Sequence, residues 1–271
     1  MNEHVATLGP DLVIARPELG IAVLTLNRPN ARNALSISLI TEVHKAVTAL
    51  GSEKDVAAII LAANGPVFCP GHDLKELTAH RSDADGGRQF YETTMSSCSD
   101  MMQAIVSCSK PVIAAVQGTA TAAGCQLVAT CDLAVAADSA EFGTPGVNIG
   151  LFCSTPMVAL SRNVPRKQAM EMLLLGETLS AADAVTYGLI NRAVPADRVM
   201  DEALQFARRI AAKSKATIAI GKEAFYRQIE QPLAEAYSYA AKVMAENMMI
   251  ADANEGICAF VEKRAPAWKD R

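Results

Sequence analysis

Residues 110–132 read KPVIAAVQGTATAAGCQLVATCD, and the order of residue types along them decides the fold class. Pro111 opens an apolar run, Val112 to Val116, short and β-branched enough to predict a buried strand. Gln117-Gly118 ends it. Thr119 to Gly124 have almost no side chain, and Cys125 to Thr130 read as an amphipathic helix. A strand that feeds a helix through such small residues leaves backbone N–H groups free at the helix start. The helix dipole adds positive potential there, which suits a ligand oxygen that gains negative charge. The same residues would also let helix and sheet pack closely, so the stretch alone supports both readings.

Upstream, Leu12-Val13-Ile14 and Ile21 to Leu26 predict a hairpin joined by a Pro17/Gly20 turn, and Asn27-Arg28-Pro29-Asn30 is turn chemistry. Ser36 is a plausible N-cap for a helix carrying Leu39, Ile40, Val43, Val47 and Leu50 at helical spacing. Val56 to Leu61 is a further apolar strand. FCPGHDLKEL, residues 68–77, again reads as strand, turn and helix start: Gly71 permits an unusual backbone angle, while Asp73 and Glu76 fit an N-cap with an acidic third residue. His80 to Arg88 is a polar patch predicted to be disordered, and a helix then runs through Ile105.

Downstream, Leu133 to Ala136 is a short strand and Phe142 to Ile149, with Gly143, Pro145 and Gly146, is predicted as loop. Strand and helix alternate to about Val194, which predicts an α/β fold with repeated crossovers. From Ala196 onward four helical segments follow, broken near Ser214, Gln231 and Asp252, without strands. Their apolar residues, among them Ala207, Ile210, Ala211, Phe225, Ile229 and Leu233, need a surface to cover them, either the core or another subunit.

The 271 residues suffice for one large domain with an appendage, and a formal net charge of −4 gives no global attraction for nucleic acid or an anionic membrane. Seven cysteines, odd in number and without metal-like spacing, are expected as buried thiols in a reducing compartment. MNEHVATLGPD shows neither a secretory nor a transit pattern, so a cytoplasmic protein is expected. The motifs H-E-x-x-H, C-x-x-C, G-x-S-x-G, G-x-G-x-x-G and Walker A are absent from the sequence, which argues against the metal, hydrolase and nucleotide sites they mark. His72, beside a turn and a helix start, could act through its ring or its amide, and the amide is favoured. Asp73 reads as a cap before it reads as a catalytic acid. Cys125 and Cys153, without a histidine partner in view, read as buried thiols. Arg28, Lys75, Lys263 and Arg264 read singly as solvated charges.

NRPNARNAL at 27–35, FCPGHDLKEL at 68–77, KPVIAAVQG with AGCQLVATCD at 110–132, and FGTPGVNIG at 142–150 resemble the enoyl-CoA hydratase/isomerase family, the crotonase superfamily. Val185 to Ile190 and Phe260 to Arg264 extend the match nearly end to end, and GHDLKEL together with PGVNIGLFCSTP indicates one subgroup. The resemblance implies an α/β crotonase-like spiral of repeated ββα units over residues 1–195. It implies a C-terminal helical region over 196–271 that drives trimers, which usually pair into hexamers. It also implies a coenzyme A thioester as partner, with no metal and no cofactor beyond that coenzyme A, no nucleic acid and no membrane. The thioester carbonyl would sit in an oxyanion hole made by the amides of His72 and Ala123. Substrate contacts would fall at Arg28, Ala31, Cys69, Pro70, Gly71, Asp73, Leu74, Lys75 and Gly124, with Phe260 and Lys263 supplied by a neighbouring subunit.

The departures decide the chemistry. Where family hydratases carry two glutamates, this chain has Gln126 and Gly146, and Ala123 replaces the middle glycine of the family's triple. Gln126 cannot exchange a proton near neutral pH and Gly146 has no side chain. Three readings follow: an acyl-CoA enzyme, leaning towards a lyase or isomerase, with another reaction or base (isomerisation, decarboxylation, hydrolysis or weak hydration) using Glu141, His72, Asp73 or Asn148; a catalytically silent acyl-CoA binder or regulator in fatty-acid metabolism; or a generic α/β oligomer without a coenzyme A site.

Overall fold

A computed structural model describes residues 6–270. Residues 1–5, where the reading for a targeting signal begins, and Arg271 lie outside the described residues. The strands are β1 (Ala6–Gly9), β2 (Leu12–Glu18), β3 (Ile21–Leu26), β4 (Ala58–Ala63), β5 (Val67–Cys69) and β6 (Val112–Val116). They continue as β7 (Thr119–Thr121), β8 (Leu133–Ala137), β9 (Glu141–Gly143), β10 (Thr178–Ser180) and β11 (Arg192–Val194). The first helices are α1 (Ile37–Ser52), α2 (Leu74–Ala79), α3 (Arg88–Ser107), α4 (Ala123–Thr130), α5 (Pro156–Asn163) and α6 (Arg166–Leu175). The rest are α7 (Ala181–Thr186), α8 (Val199–Ala211), α9 (Lys215–Gln228), α10 (Leu233–Met248) and α11 (Ala251–Val261).

A seven-stranded sheet runs β1-β2-β3-β4-β6-β8-β11, and a four-stranded sheet runs β10-β9-β7-β5. The predicted hairpin is β2 and β3; from β3 across the large sheet every pair is parallel. Three times in succession a strand of the large sheet is followed by one of the small sheet and then by helix: β4, β5, α2 and α3; β6, β7, α4; β8, β9, α5 and α6. The chain thus winds as a spiral of ββα turns. β6 is buried at every residue, as a central parallel strand covered on both faces must be.

Several elements differ from those the sequence predicts. Thr119 to Thr121 and Glu141 to Gly143 are strands of the small sheet, too short at three residues each to show a period. Pro156–Asn163 and Arg166–Leu175 are helices rather than unassigned chain. α4 is not amphipathic: all eight of its residues are buried. The polar segment from His80 to Arg88 is ordered, because the His80 ring stacks on Phe90 at 3.6 Å and its Nδ1 lies 2.7 Å from Asp83. Asp85 there accepts from the N–H groups of Gly87 and Gln89. Six cysteines are buried free thiols, whereas Cys258 is only partly buried.

After residue 195 the helices are covered in two ways. α8 lies on β4, β6 and β8 of the large sheet, with Val199, Ala203 and Ala207 buried, so it belongs to the core. α9 to α11 pack on one another and leave Phe225, Ile229, Leu233, Tyr237 and Met249 exposed. α9 is fastened to the spiral by a buried charge cluster. The Lys222 ammonium, 7% exposed, bonds Asp132 at 2.6 Å and the carbonyls of Ile105 and Lys110 at 3.0 and 3.1 Å. Asp132 also accepts from the Tyr226 hydroxyl at 2.9 Å and the Val112 N–H at 2.7 Å.

Candidate functional site

The turn after β5 and the start of α4 meet backbone to backbone. Gly71 has φ +109°, and a Cβ there would lie 2.9 Å from the Ala122 methyl and 3.3 Å from the Ala123 nitrogen. A Cβ on Gly124 would lie 1.9 Å from the Cys69 carbonyl oxygen, so only glycine permits the contact. The Thr121 hydroxyl donates to the Pro70 carbonyl at 3.1 Å and ties the two segments together. His72 pairs with Leu35 in a parallel bridge in which Leu35 donates to Gly71 and accepts from Asp73. That pattern spends the amide hydrogen bonds on either side of His72 and none of its own. Among the described residues, neither the His72 N–H nor the Ala123 N–H has a hydrogen-bond partner.

Arg28 is not a solvated charge. Its guanidinium reaches Asp11 and Asp73 at 3.2 Å each and the Ala34 carbonyl at 2.5 Å, which docks the 27–35 loop on the 69–75 segment. Asn33, overlooked in the sequence, fixes that loop from inside: fully buried, it accepts from the Arg28 N–H and donates to the carbonyls of Asn64 and Val67. Asp73 caps α2 through the N–H groups of Lys75 and Glu76. Glu76 in turn accepts from the Ile37 N–H instead of closing a capping box. The structure therefore brings Cys69 against Gly124, Gly71 against Ala122 and Ala123, and Arg28 against Asp73. Phe260, 85% exposed, and Lys263 stand at the end of α11, which packs on α9 and α10.

The substitutes for the glutamates fare unevenly. Asn148 spends its amide on the Gly176 carbonyl at 3.0 Å, Asp73 is held as cap and ion pair, and Glu141 is exposed at the start of β9. Burial holds the His72 imidazole below its ordinary value, and both ring nitrogens are buried without a hydrogen-bond partner. The unfolded chain takes up that proton more readily than the folded one. Stability should therefore rise with pH between the depressed folded value and about 6.5 and then level. Urea titrations of His72→Ala should show that part of the profile flattened. Burial pushes the Cys125 thiol up to about 12 and raises Cys153 as well, so neither is a ready thiolate at neutral pH.

A side chain at position 146 has nowhere to go. A Cβ on Gly146 would lie 2.5 Å from the Leu151 carbonyl oxygen and 2.9 Å from the Cys153 sulfur. Gln126 is buried, with its Oε1 unpaired.

Ala122, also overlooked, is the strained residue of the site, at φ +48° and ψ −121°. Its signal in the sequence is only that alanine stands in a row of small residues where glycine would suit a positive φ. Ala122→Gly should stabilise the fold by about 1 kcal/mol and raise Tm by roughly 2–4 °C. An unchanged or lower Tm would mean that the packing of the methyl group outweighs the strain.

Two interlocked sheets wound as ββα turns, with unpaired amides where a β-turn meets a buried helix start, define a crotonase-fold protein. The chain belongs to the enoyl-CoA hydratase/isomerase family, whose model matches residues 16–271. It is 46% identical over 259 residues to rat mitochondrial enoyl-CoA hydratase domain-containing protein 3, covering 96% of this chain and 85% of that one. That is the subgroup GHDLKEL and PGVNIGLFCSTP indicate. Among solved structures, an enoyl-CoA hydratase from Mycobacterium smegmatis is 50% identical with a TM-score of 0.91, covering 96% of this chain and 99% of that one. Human enoyl-CoA hydratase domain-containing protein 3 is 44% identical with a TM-score of 0.90, covering 95% and 100%.

Proposed function

We propose that this protein binds a coenzyme A thioester and holds its carbonyl oxygen between the amides of His72 and Ala123, while turning over ordinary hydratase substrates poorly. The observation that carries this reading is the pair of unpaired N–H groups at the junction of Gly71 with Ala123. Family membership supports the thioester as ligand. Gln126 cannot move a proton, and the closed space at Gly146 leaves no room for a second acid or base. That closure also favours the second reading, a silent acyl-CoA binder in fatty-acid metabolism. Coenzyme A contacts are assigned to Arg28, Ala31, Cys69, Pro70, Gly71, Asp73, Leu74, Lys75 and Gly124, with Phe260 and Lys263 reaching a neighbour's site. The exposed apolar side chains of α9 to α11 support a trimer or hexamer. No described helix is long and apolar enough to cross a membrane. The unbridged cysteines support a reducing compartment, and we assign the cytoplasm, although the rat relative is named as mitochondrial.

The test measures acyl-CoA binding by calorimetry and crotonyl-CoA hydration in parallel, with light scattering for the assembly. Binding is expected, with hydration about 10²–10⁴-fold below that of an enzyme holding both acid and base. Gln126→Glu combined with Gly146→Glu should not restore it, because the added side chain overpacks the Leu151–Cys153 turn and costs about 1–3 kcal/mol. Efficient hydration by the unaltered protein would overturn this reading, and a stable monomer would remove the assembly.

A further inference from the structure

Asn64 is the only asparagine in the chain that is followed by glycine. It opens the connector between β4 and β5, where Asn64, Gly65 and Pro66 are all exposed. Most polar groups of this connector are held. Asn64 donates its N–H to the Leu26 carbonyl, its side-chain Nδ2 donates to Asn27 Oδ1 at 2.9 Å, and the Gly65 carbonyl accepts from Gln117 Nε2 at 2.9 Å. The Gly65 N–H differs: among the described residues it has no hydrogen-bond partner. Gly65 also has φ +86° and carries no Cβ to shield its nitrogen. The comparable Asp85-Gly86 pair is tied instead. Gly86 donates its N–H to the Asp83 carbonyl at 2.8 Å, and the Asp85 carboxylate accepts from Gly87 and Gln89.

We infer that Asn64 is a self-modification site, at which the Gly65 nitrogen attacks the carbonyl carbon of the Asn64 side chain. The Gly65 nitrogen gives up its proton, the Cγ–Nδ2 bond breaks, and ammonia leaves behind a cyclic imide. Water then opens the ring at either carbonyl. Opening at the side-chain carbonyl gives aspartate in an unchanged main chain. Opening at the main-chain carbonyl gives isoaspartate, whose chain runs through the side chain and is longer by a methylene group. No electrons are exchanged, and water is the co-reactant. Both products add a negative charge and lose the Nδ2 donor that Asn27 accepts from. The lengthened product also disturbs the main chain. Asn33 donates to the Asn64 and Val67 carbonyls at 2.8 Å each, and so pins the 27–35 loop to both ends of the connector. The Pro66 carbonyl oxygen lies so near Gly118 that a Cβ there would come within 2.1 Å. A connector enclosed in this way has no slack for an added methylene. Asn33 therefore loses a bond, and the loop carrying Arg28 loosens.

The test is storage of the intact protein at mildly acidic and mildly alkaline pH, followed by peptide mapping with mass spectrometry and an enzymatic assay for isoaspartate. Asn64 should convert before any other asparagine, and faster at the alkaline pH, because the attacking nitrogen must lose its proton. The native isoelectric point should shift to lower pH as conversion proceeds. Asn64→Gln, whose longer side chain disfavours the ring, should stay unconverted at that position. Isoaspartate-containing protein, separated from the rest, should melt roughly 2–4 °C lower, the shift that one lost buried hydrogen bond brings in a chain of this size. A urea-unfolded sample stored alongside shows what the free chain does. An Asn64 that stays intact in the folded protein, whether or not it converts in urea, would overturn the inference, as would another asparagine that converts first. Isoaspartate-containing protein with an unchanged Tm would overturn the loosening of the loop. None of these readouts involves a ligand, so they stand apart from the thioester reading.

Discussion

Lys222→Met should lower the free energy of unfolding by about 3–5 kcal/mol, the cost of leaving a buried charge without its partner. The Lys222 ammonium is almost wholly enclosed and bonds Asp132 and two carbonyls, and Asp132 is shared with Tyr226 and the amide of Val112. Removing the ammonium strands the carboxylate and unties α9 from the ends of α3 and β6. Arg162→Met is the control, because the Arg162–Glu230 pair at 2.9 Å is more than half exposed on both sides. Such a surface pair is worth about 0–1 kcal/mol. Both variants should be unfolded in urea at one protein concentration, since self-association would shift the midpoint. A loss below about 1 kcal/mol for Lys222→Met would show that water replaces the partner, a result expected of an exposed pair.

Ala123→Pro should cost any thioester chemistry about 2.7–4 kcal/mol in the transition state, while His72→Ala should cost little. The proline removes one of the two proposed donors outright, and the alanine leaves the other in place because the amide belongs to the backbone. Position 123 opens α4, where proline is tolerated by the helix itself. The residue before a proline is restricted as well, and Ala122 already holds an unusual conformation, so the variant's melting must be measured before its kinetics. Vibrational spectroscopy of bound acyl-CoA gives an independent reading in the unaltered protein: two donors on the carbonyl should lower its stretching frequency relative to free ligand. If His72→Ala folds, binds acyl-CoA and loses all activity, the imidazole takes part. An unshifted carbonyl would remove the donor pair itself.

The parts of this molecule visible in the sequence are those governed by local chemistry. Ser36 and Asp73 were recognisable as caps, and both accept the N–H bonds expected of them. The buried strand at Val112 to Val116 and the turn at Gly71 were visible for the same reason: a run of apolar residues and a single glycine carry their own signals. What stayed hidden depends on partners distant in the chain. Three strands of the small sheet, β7, β9 and β10, have three residues each, and only their neighbours in space make them strands. α8 looked like the start of a tail because its helical pattern does not say which surface it covers, and that surface is the sheet. Arg28 looked like any surface arginine until Asp11 and Asp73 closed around it. Gly146 read as a missing carboxylate, whereas the reason one cannot simply be put back lies five to seven residues away at Leu151 and Cys153.

The approach of the Cys69 carbonyl to Gly124 joins residues from successive turns of the spiral, and it is made by the main chain. This makes the cleft a chassis with interchangeable fittings. Side chains around that frame can be exchanged without removing the main-chain approach itself. A library at Gly124, selected for folded protein, should return glycine alone.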